Sequence, residues 1–584
     1  MRILVLFLPL ALIAGCGTDG LGTGGNDPDL APAVAPDMSE LPDLASSKSG
    51  IGDPCTGGGG LSQGSCADGQ VCVPDGQFGN TDGYCVAQCG MGTDCPSDAT
   101  CIEFGTNFAF CLLTCTRDSQ CRQPDYSCQN LAQGKPRVCA PTNGGGGSNS
   151  GGPTPGTRDG GLACVTPVVK PTPGIFGANT QLSPGGANTR ASEVQLNVDA
   201  LNKNVVVSWI DLGNTGGGIG AAHSGDDGAS WGNELTLPID KTVDKNSEQS
   251  DPVVAVDGLG NFWVVWVGFD RSAQNPNPAN MHMFAARSKD GGITFPDLFQ
   301  LAPNAEWPAG GFLDKPWIAA SRKDATVYAT WARATAAGAE DIRMVRFDGA
   351  AWGAPVSIND VGKRGGVSRN LAQVVVADDG HPMVTWVEVG QAQYGSTANQ
   401  VYVQRFNPDG SKLANNVLVT HPPDSPPFED PSIAVFGPNV YVGFSSGDSK
   451  GAWDILVAAS TDGGATFQKP VKANDDDTCA THFHHQIVVD GRGNVHAIWF
   501  DNRYLDGNVM YAMSPPADPM VPLAFGKNSF VNDKAFTFTT RRDQANWLGD
   551  YLGLATYGGE IYAAWTDNRT TNRSQIYFAK GQLK

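Results

Sequence analysis

Two copies of the tripeptide Asp-Asn-Arg stand at the same distance after a tryptophan: residues 501–503 follow Trp499, and residues 567–569 follow Trp565. An arginine guanidinium is suited to holding a carboxylate through two parallel hydrogen bonds, so the repeat could form part of an anion-binding ring. In the alternative interpretation, each Asp caps its own loop and each Arg bridges neighbouring repeats. The candidate ligand-binding residues are Arg190, Arg503, Arg569, Asp501 and Asp567.

A second group of chemically active side chains lies at residues 475–485, where three aspartates precede His482, His484 and His485. Imidazoles and carboxylates bind divalent metals, which makes Asp476, His482 and His484 weak metal candidates. Their spacing matches no zinc signature, so a solvated acidic loop is the alternative. A structural calcium ion on such a loop is also possible, and no other cofactor is expected.

These residues belong to a repeating system of β-strands. A β-type run that ends in an aromatic residue recurs seven times, at intervals of about 55 to 66 residues. The runs cover residues 205–209, 262–266, 327–331, 383–386, 440–444, 495–499 and 561–565. Three to four strands per repeat at this period are typical of propeller blades, so the sequence predicts an all-β, seven-bladed β-propeller over residues 163–584.

The last repeat is one strand short. A strand near residues 180–183, ahead of the first full repeat, is expected to complete it and close the ring, which would remove exposed sheet edges. The loops that lead into the innermost strands and those that leave the second strands should converge on one face. The recurring tryptophans are expected to form the core between blades. A disulfide between Cys164 and Cys479 would clip the closure region to a loop.

Three segments share the pattern S-x-D-x-G-x-[ST]-[WF], at residues 224–231, 288–295 and 460–467. The Asp of such a segment can accept backbone N–H groups in a tight hairpin, the Gly supplies a positive φ, and the final aromatic residue packs between sheets. The pattern resembles the Asp-box (BNR) motif of sialidase-like β-propellers. The resemblance implies a structural role for Asp226, Asp290 and Asp462, on turns away from the active face.

The same resemblance implies a catalytic site, in which a carboxylate activates a tyrosine nucleophile, an Asp acts as acid and base, and three arginines hold the sugar carboxylate. Tyr551 matches the position of the nucleophile, Glu429 or Glu388 would be its base, and Asp251 would be the acid/base. Arg190, Arg503 and Arg569 would form the clamp. Two features depart from the family: Thr189-Arg190-Ala replaces its Arg-Ile-Pro signature, and its catalytic propeller has six blades.

The N-terminus carries a processing signal. Arg2, an apolar run over residues 3–11 and Leu12-Ile-Ala-Gly-Cys16 resemble a bacterial lipoprotein signal, with residues 1–15 removed and Cys16 lipidated. Gly17 favours the outer membrane or cell surface as the destination; an ordinary secretory signal is the alternative. Residues 16–50 are expected to be a flexible tether. A net charge of −20 argues against nucleic acid as a partner.

Twelve of the fifteen cysteines fall between Cys55 and Cys139. In an exported chain this even number predicts six disulfides over residues 51–140, of undetermined connectivity, in small repeats that resemble Cys-rich repeats of bacterial surface proteins. Zinc is the weaker interpretation because C-x2-C knuckles are missing. A Gly/Ser/Pro linker over residues 141–162 precedes the propeller.

The predicted function is recognition of a glycan or a protein ligand, without catalysis, by the charged face of a surface-anchored propeller. The first alternative is a glycoside hydrolase of the exo-α-sialidase type. The second is an adhesion or structural protein that acts through the Cys-rich module.

Overall fold

The computed structural model describes two stretches of the chain, each with gaps. The first comprises residues 66, 70–73, 84–89, 95–103, 109–116, 120–121, 126–129 and 136–141. The second comprises residues 172–184, 189–213, 217–238, 241–271, 278–302, 311–335, 340–359, 367–390, 400–420, 431–447, 453–478, 480–504, 506–537, 547–570 and 573–583. The signal sequence, Cys16, the tether, Cys164, Glu429 and Cys479 lie outside the described residues.

The N-terminal unit is a small, disulfide-rich β structure. Its described strands are β1 (Gln70–Val73), β2 (Tyr84–Gln88), β3 (Ala99–Glu103), β4 (Ala109–Leu113), β5 (Tyr126–Gln129) and β6 (Val138–Pro141). They form one sheet in the order β1-β2-β4-β3 and the hairpin β5-β6. A few apolar side chains, among them Val86, Ile102 and Phe110, pack with buried cysteines into a core.

Five disulfides stabilise the described part of this unit. They are Cys66–Cys85, Cys89–Cys101, Cys95–Cys111, Cys115–Cys128 and Cys121–Cys139. Two cysteine triplets are close enough together to hold a metal ion, but all of their sulfurs are in disulfides. A zinc ligand must be a free thiolate, so the disulfide interpretation of these cysteines holds.

The second unit is a seven-bladed β-propeller, as the sequence predicts, with seven four-stranded antiparallel sheets. Blades 1 to 6 are built in chain order from the following strands: β8 (Ala191–Val198), β9 (Val205–Asp211), β10 (Gly218–Ser224) and β11 (Leu235–Leu237); β12 (Glu248–Val256), β13 (Phe262–Asp270), β14 (Ala279–Ser288) and β15 (Asp297–Gln300); β16 (Phe312–Ala320), β17 (Val327–Ala334), β18 (Glu340–Phe347) and β19 (Val356–Ser357); β20 (Val367–Val376), β21 (Pro382–Gly390), β22 (Gln400–Arg405) and β23 (Val417–Thr420); β24 (Ser432–Phe436), β25 (Asn439–Gly447), β26 (Trp453–Ser460) and β27 (Val471–Lys472); β28 (His482–Val489), β29 (Val495–Tyr504), β30 (Asp506–Ser514) and β31 (Ser529–Phe530). Blade 7 contains β32 (Gly553–Tyr557), β33 (Glu560–Asp567), β34 (Gln575–Gln582) and the earlier strand β7 (Thr180–Gln181).

The ring closes where the sequence predicts. Strand β7 pairs antiparallel with β34, with Gln181 opposite Tyr577 and Thr180 opposite Phe578. The innermost strand of each blade contacts that of the next, and β32 of blade 7 contacts β8 of blade 1. The first and last parts of the propeller therefore share one sheet, which leaves no open edge between blades 7 and 1.

The aromatic residue that ends each predicted run lies in the second strand of its blade. Six of the seven are tryptophans with essentially no exposed surface: Trp209, Trp266, Trp331, Trp386, Trp499 and Trp565. These strands are apolar on both faces because each sheet is covered by a blade on either side. Trp266 of blade 2, for example, packs in one cluster with Val206, Ile219 and Ala221 of blade 1. The prediction that the recurring aromatics form the core between blades is confirmed.

Each Asp-box forms the turn between the third and fourth strands of its blade, in blades 1, 2 and 5. In the box of blade 2, Asp290 Oδ1 accepts the backbone N–H of Thr294 at 3.0 Å, and Asp290 Oδ2 accepts its hydroxyl at 2.6 Å. Gly292 adopts a φ of 92°. The boxes of Asp226 and Asp462 repeat these bonds. Hydrogen bonds from Ser230 and Ser224 lower the pKa of Asp226 to about 2. The geometry matches the structural role that the resemblance implies.

The described residues fall into two compact units, with the division in the sequence after residue 146. Within them, the structure has no helix with the length and apolar character that a membrane span requires.

Candidate functional site

The innermost strands of five blades carry a β-bulge at the same place, close to the end where the strand starts. The register shifts fall after Ser192, Ser250, Asp314, Asn370 and Phe483. One residue of each bulge has a left-handed backbone: Glu193 (φ 53°), Asp251 (58°), Lys315 (49°), Leu371 (62°) and His484 (48°). This conformation costs a non-glycine residue on the order of 1 kcal/mol or more, and such strain concentrates at functional sites. The bulges mark the candidate site.

Lys315 is the centre of a buried ionic cluster that joins four blades. Its Nζ lies 2.8 Å from Asp251 Oδ1, 2.6 Å from Asp550 Oδ2 and 3.6 Å from Glu193 Oε1. All four residues are buried. Burial lowers the pKa of Lys315, but the carboxylates of Asp251, Asp550 and Glu193 outweigh burial and hold that pKa well above its usual value. The ammonium group is therefore the fixed counter-charge of carboxylates from blades 1, 2 and 7. We call these four residues the axial cluster.

Tyr551 lies against the axial cluster. Its hydroxyl donates a hydrogen bond to Asp251 Oδ1 at 3.0 Å, and Lys315 Nζ lies 4.8 Å from the centre of its ring. Trp317 contacts the same ring edge-on, with centroids 5.9 Å apart, and Tyr551 is 3% exposed. The structure thus brings together two predicted catalytic residues, Tyr551 and Asp251. Asp251 occupies the place beside the hydroxyl where the prediction puts a glutamate.

Of the two glutamates predicted as the base, the structure describes only Glu388. Glu429 lies outside the described residues. Glu388 is buried and accepts a hydrogen bond from Arg369 Nε at 2.8 Å, because Arg369 stands directly opposite it across strands β20 and β21. Its carboxylate is held in an ion pair within blade 4.

Two further titratable groups border the axial cluster. Burial raises the pKa of Asp314 to about 6, and Asn370 donates a hydrogen bond to this carboxyl at 3.2 Å. Burial lowers the pKa of His484 to about 4, so its imidazole is neutral at pH 7. Asp550 Oδ1 is buried and has no hydrogen-bond partner among the residues that the structure describes. The cluster is densely charged, strained and closed to solvent.

Arg503, in the first Asp-Asn-Arg copy, pairs with the carboxylates of Asp501 and Asp475. Its Nε lies 3.0 Å from both oxygens of Asp501, and its Nη1 lies 2.6 Å from Asp475 Oδ1. Its Nη2 donates to Asn528 Oδ1 at 2.9 Å. Asp501 also accepts the indole N–H of Trp499 at 2.9 Å, because residues two apart on a strand share a face. The side chain of Arg503 is 5% exposed.

The second copy builds the same arrangement in blade 7. Arg569 Nε donates to Asp567 Oδ2 at 2.7 Å, Nη1 donates to Asn179 Oδ1 at 3.0 Å, and Nη1 also contacts Asp533. Trp565 donates to Asp567 at 2.9 Å. Asn179 directly precedes the outer strand β7, as Asn528 directly precedes β31. We call each set of Arg, Asp, Asn and second Asp a clasp. It ties the second strand of one blade to the start of the outer strand of the same blade and to the exit loop of the preceding blade.

Arg503 and Arg569 therefore lie in separate clasps, and their contacts with described residues differ. Arg190 stands before β8, where its backbone carbonyl accepts the N–H of Leu212 at 2.8 Å. The structure places the three predicted clamp arginines in blades 6, 7 and 1. The contacts of Arg503 and Arg569 fit the alternative interpretation of the repeat, in which Arg bridges neighbouring blades.

Sequence reasoning missed the outer half of the clasps. The missed residues are Asp475, Asn528, Asp533 and Asn179. A signal was present in the Asn-Asp pairs at residues 474–475 and 532–533, each shortly after an outer strand. In both pairs the Asn oxygen accepts the N–H of a third strand, at 3.0 Å for Ile455 and 2.8 Å for Val509.

The metal candidates do not form one centre. His482 Nε2 lies 3.1 Å from Asp476 and 3.3 Å from Asp501, and Nδ1 contacts the carbonyl of Trp453. Burial lowers the pKa of His482, but Asp501 and Asp476 outweigh burial and raise it to about 10. His484 borders the axial cluster instead. Across the described ranges, the groups close enough to hold a metal consist of the disulfide cysteines.

No protein-family model matches the chain, and no curated protein matches it. Solved structures are similar at low identity. A protein of unknown function from Dyadobacter fermentans is 10% identical, with 70% of this chain and 98% of that chain covered and a TM-score of 0.41. Polysaccharide lyase Uly1 is 10% identical, with 69% and 92% covered and a TM-score of 0.44. The NanB sialidase of Streptococcus pneumoniae is 11% identical, with 70% and 71% covered and a TM-score of 0.39. Likeness at this level assigns no activity to this chain.

Proposed function

We propose that this protein binds a glycan or a protein ligand without catalysis, through the face of the propeller that carries the loops into the inner strands. The observation that carries the proposal is the pairing of Lys315 with three carboxylates in the axial cluster. Asp251 receives hydrogen bonds from both Lys315 and Tyr551, at 2.8 and 3.0 Å. The charged side chains of the ring axis are thus engaged with one another.

A tyrosine nucleophile needs a carboxylate that can take its proton and a path to the substrate. The ammonium group of Lys315 lies 2.8 Å from Asp251 Oδ1, the oxygen that also accepts the Tyr551 hydroxyl, so this carboxylate is already paired with a cation. Tyr551 is also covered by Trp317 and Lys315. The arrangement supports a rigid axis that positions surrounding loops, and it gives little support to proton transfer.

A panel of substrates and ligands tests this proposal. We expect the folded, full-length protein to hydrolyse neither fluorogenic sialosides nor neutral glycosides and to cleave no acidic polysaccharide, yet to bind members of a glycan array or a set of surface proteins. Turnover is read by fluorescence and by chromatography of the products, and binding by array signal and biolayer interferometry. Turnover by wild-type protein would contradict the proposal.

The contact between Tyr551 and Asp251 favours one second candidate, an exo-glycosidase of the sialidase type. In that case wild-type protein would release a terminal sugar, and Tyr551→Phe would lower the rate by roughly a thousandfold or more, the usual cost of losing a nucleophile. Tyr562→Phe is the matched control, because Tyr562 is also buried but contacts Asp227 and Glu560 between blades 7 and 1. Equal loss in both variants would indicate unfolding instead of catalysis.

We also propose that Cys16 anchors the protein to the cell envelope, at the outer membrane or cell surface. The sequence around Cys16 supports this anchor, since an apolar run leads directly into Leu-Ile-Ala-Gly-Cys. We expect wild-type protein made in a bacterium to enter the detergent phase on Triton X-114 partition and to incorporate labelled palmitate. Cys16→Ser should move it to the aqueous phase and abolish labelling. Partition of Cys16→Ser into detergent would argue against the anchor.

A further inference from the structure

An open groove lies between blades 6 and 7, on the face that carries the loops into the inner strands. Its volume is about 700 Å³, and it is lined by Asn179, Gln181, Asp533, Lys534, Arg569, Thr570 and Tyr577. The groove is shallow, so a ligand bound there would remain partly in contact with solvent. The lining combines two amides, two hydroxyls, an aromatic ring and charged groups of both signs.

The corresponding place between blades 5 and 6 is filled. There Tyr504 directly follows Arg503, and its ring packs on that of Phe530 with centroids 5.5 Å apart. Thr570 stands at the position of Tyr504, directly after Arg569, and Gln181 stands at the position of Phe530, as the second residue of the outer strand. The clasp occurs in both blades, but the pair of packed aromatic rings, Tyr504 and Phe530, is present only in blade 6. The groove is therefore specific to the last clasp.

The residue that follows the second Asp of the clasp also differs in charge between the two copies: it is Asp476 in the first and Lys534 in the second. Asp476 follows Asp475 in the first copy and contacts Arg503 and His482. Lys534 follows Asp533 in the second copy, is exposed, and donates to the carbonyl of Arg569 at 3.1 Å. Among the described residues Lys534 forms no salt bridge, whereas Asp533 is paired with Arg569. The groove thus offers an exposed ammonium group that forms no ion pair with a described carboxylate, although Arg569 pairs with both Asp533 and Asp567.

The floor of the groove is fixed by contacts within the protein. Arg569 lies over the ring of Tyr577, 4.3 Å from its centre. The hydroxyl of Tyr577 lies 2.5 Å from Thr570 Oγ1 and 3.1 Å from Gln181 Oε1. These contacts hold hydroxyl and amide groups in place before a ligand arrives, which lowers the entropic cost of binding. Fixed polar groups of this kind match a ligand with many hydroxyls.

We propose that this groove binds a short oligosaccharide with an anionic substituent, a carboxylate or a sulfate, that pairs with Lys534. The inference rests on the proposed noncatalytic function and names a site and a ligand class for it. Asn179, Gln181, Thr570 and Tyr577 would contact sugar hydroxyls. The site is peripheral and separate from the axial cluster.

The test gives blade 7 the two aromatic residues that stand at the corresponding positions of blade 6. Full-length wild-type protein, the double variant Gln181→Phe/Thr570→Tyr and Lys534→Glu are titrated with uronate-containing, sulfated and neutral oligosaccharides. The double variant should fill the groove and weaken binding by about tenfold or more. Lys534→Glu should weaken binding of the anionic oligosaccharides by about threefold to fivefold, as expected for one exposed charge pair, and leave neutral ones unchanged. Lys412→Glu, on the turn between the third and fourth strands of blade 4, is the matched control and should change neither.

The outcomes separate the groove from the proposed function. Undiminished binding by a folded double variant overturns the groove but leaves noncatalytic binding intact. Equal binding of neutral and anionic oligosaccharides, unchanged in Lys534→Glu, overturns the anionic ligand class. A folded wild-type protein that binds no oligosaccharide overturns the inference, and one that binds no protein ligand either overturns the proposed function too. If the double variant fails to fold, the comparison of wild-type protein with Lys534→Glu tests the inference. Equal affinity of the two proteins for the anionic oligosaccharides would then overturn it.

Discussion

Replacing Lys315 by methionine is expected to lower the free energy of unfolding by about 3–5 kcal/mol, the usual cost of removing one partner from a buried ion pair. The variant would leave Asp251 and Asp550 buried without the ammonium group that lies 2.8 and 2.6 Å from them. Methionine keeps most of the side-chain volume, so the loss would come mainly from the uncompensated charges. Urea denaturation followed by tryptophan fluorescence measures it, because the tryptophans lie in the cores between blades.

Two comparisons isolate the electrostatic part of this effect. Lys323→Met removes an exposed lysine from the same blade and should change stability by less than about 0.5 kcal/mol. Lys315→Met/Asp550→Asn removes one of the unbalanced carboxylates and should recover part of the loss. If Lys315→Met unfolds at the same urea concentration as wild type, the axial cluster does not hold the ring together and its residues are free for another role.

The fold could be predicted because its signals are local and repeated. An apolar run that ends in Trp209, and recurs to Trp565, fixes the second strand of each blade. The final repeat then lacks one strand, and the isolated strand β7 can supply it. The position of the axial cluster was also accessible: Glu193, Asp251 and Lys315 all precede the regular part of an inner strand, and the blade repeat brings such positions to the axis.

The partners of the site residues could not be predicted, because they depend on register and on which blades are neighbours. Glu388 pairs with Arg369 since the two stand opposite each other across β20 and β21, a register that the sequence pattern leaves open. Asp251 meets Tyr551 from a position 300 residues away in the chain. The disulfide connectivity of the N-terminal unit was open for the same reason: spacing alone allows many pairings.

The conformation of the loops also could not be predicted from the sequence. Arg503 and Arg569 looked available for a ligand because a motif shows residue types without their contacts. The exit loops after β27 and β31 bring Asp475 and Asp533 to these arginines, and each ion pair becomes part of the joint between blades. The two copies differ at two positions, Tyr504 against Thr570 and Asp476 against Lys534. Only a comparison of the two clasps in three dimensions shows that these differences line a groove in one copy.

His482 should make the propeller less stable as pH rises from 7 to 10. Burial lowers the pKa of this histidine, but Asp501 and Asp476 outweigh burial, so the folded-state value is about 10 against 6.5 for an unperturbed histidine. A group whose pKa is raised on folding stabilises the folded state fully below its unfolded pKa, and this contribution is lost as pH rises through the folded pKa. The stabilisation is thus present below about pH 6.5 and disappears towards pH 10. Its full size is about 3–5 kcal/mol, since one pKa unit equals about 1.4 kcal/mol.

The neighbouring charges explain why the change should be large. Asp476 and Asp501 lie 3.1 and 3.3 Å from His482 Nε2, and Arg503 contacts both carboxylates. Loss of the histidine proton leaves the two carboxylates with Arg503 as their remaining cation. We expect the unfolding free energy of wild-type protein, measured by urea denaturation from pH 6 to 10, to fall more steeply than that of His482→Gln. His496→Gln is the matched control: burial lowers the pKa of His496 in the same blade, so its removal should keep the alkaline slope. Parallel curves for wild type and His482→Gln would show that His482 is not a buried cation.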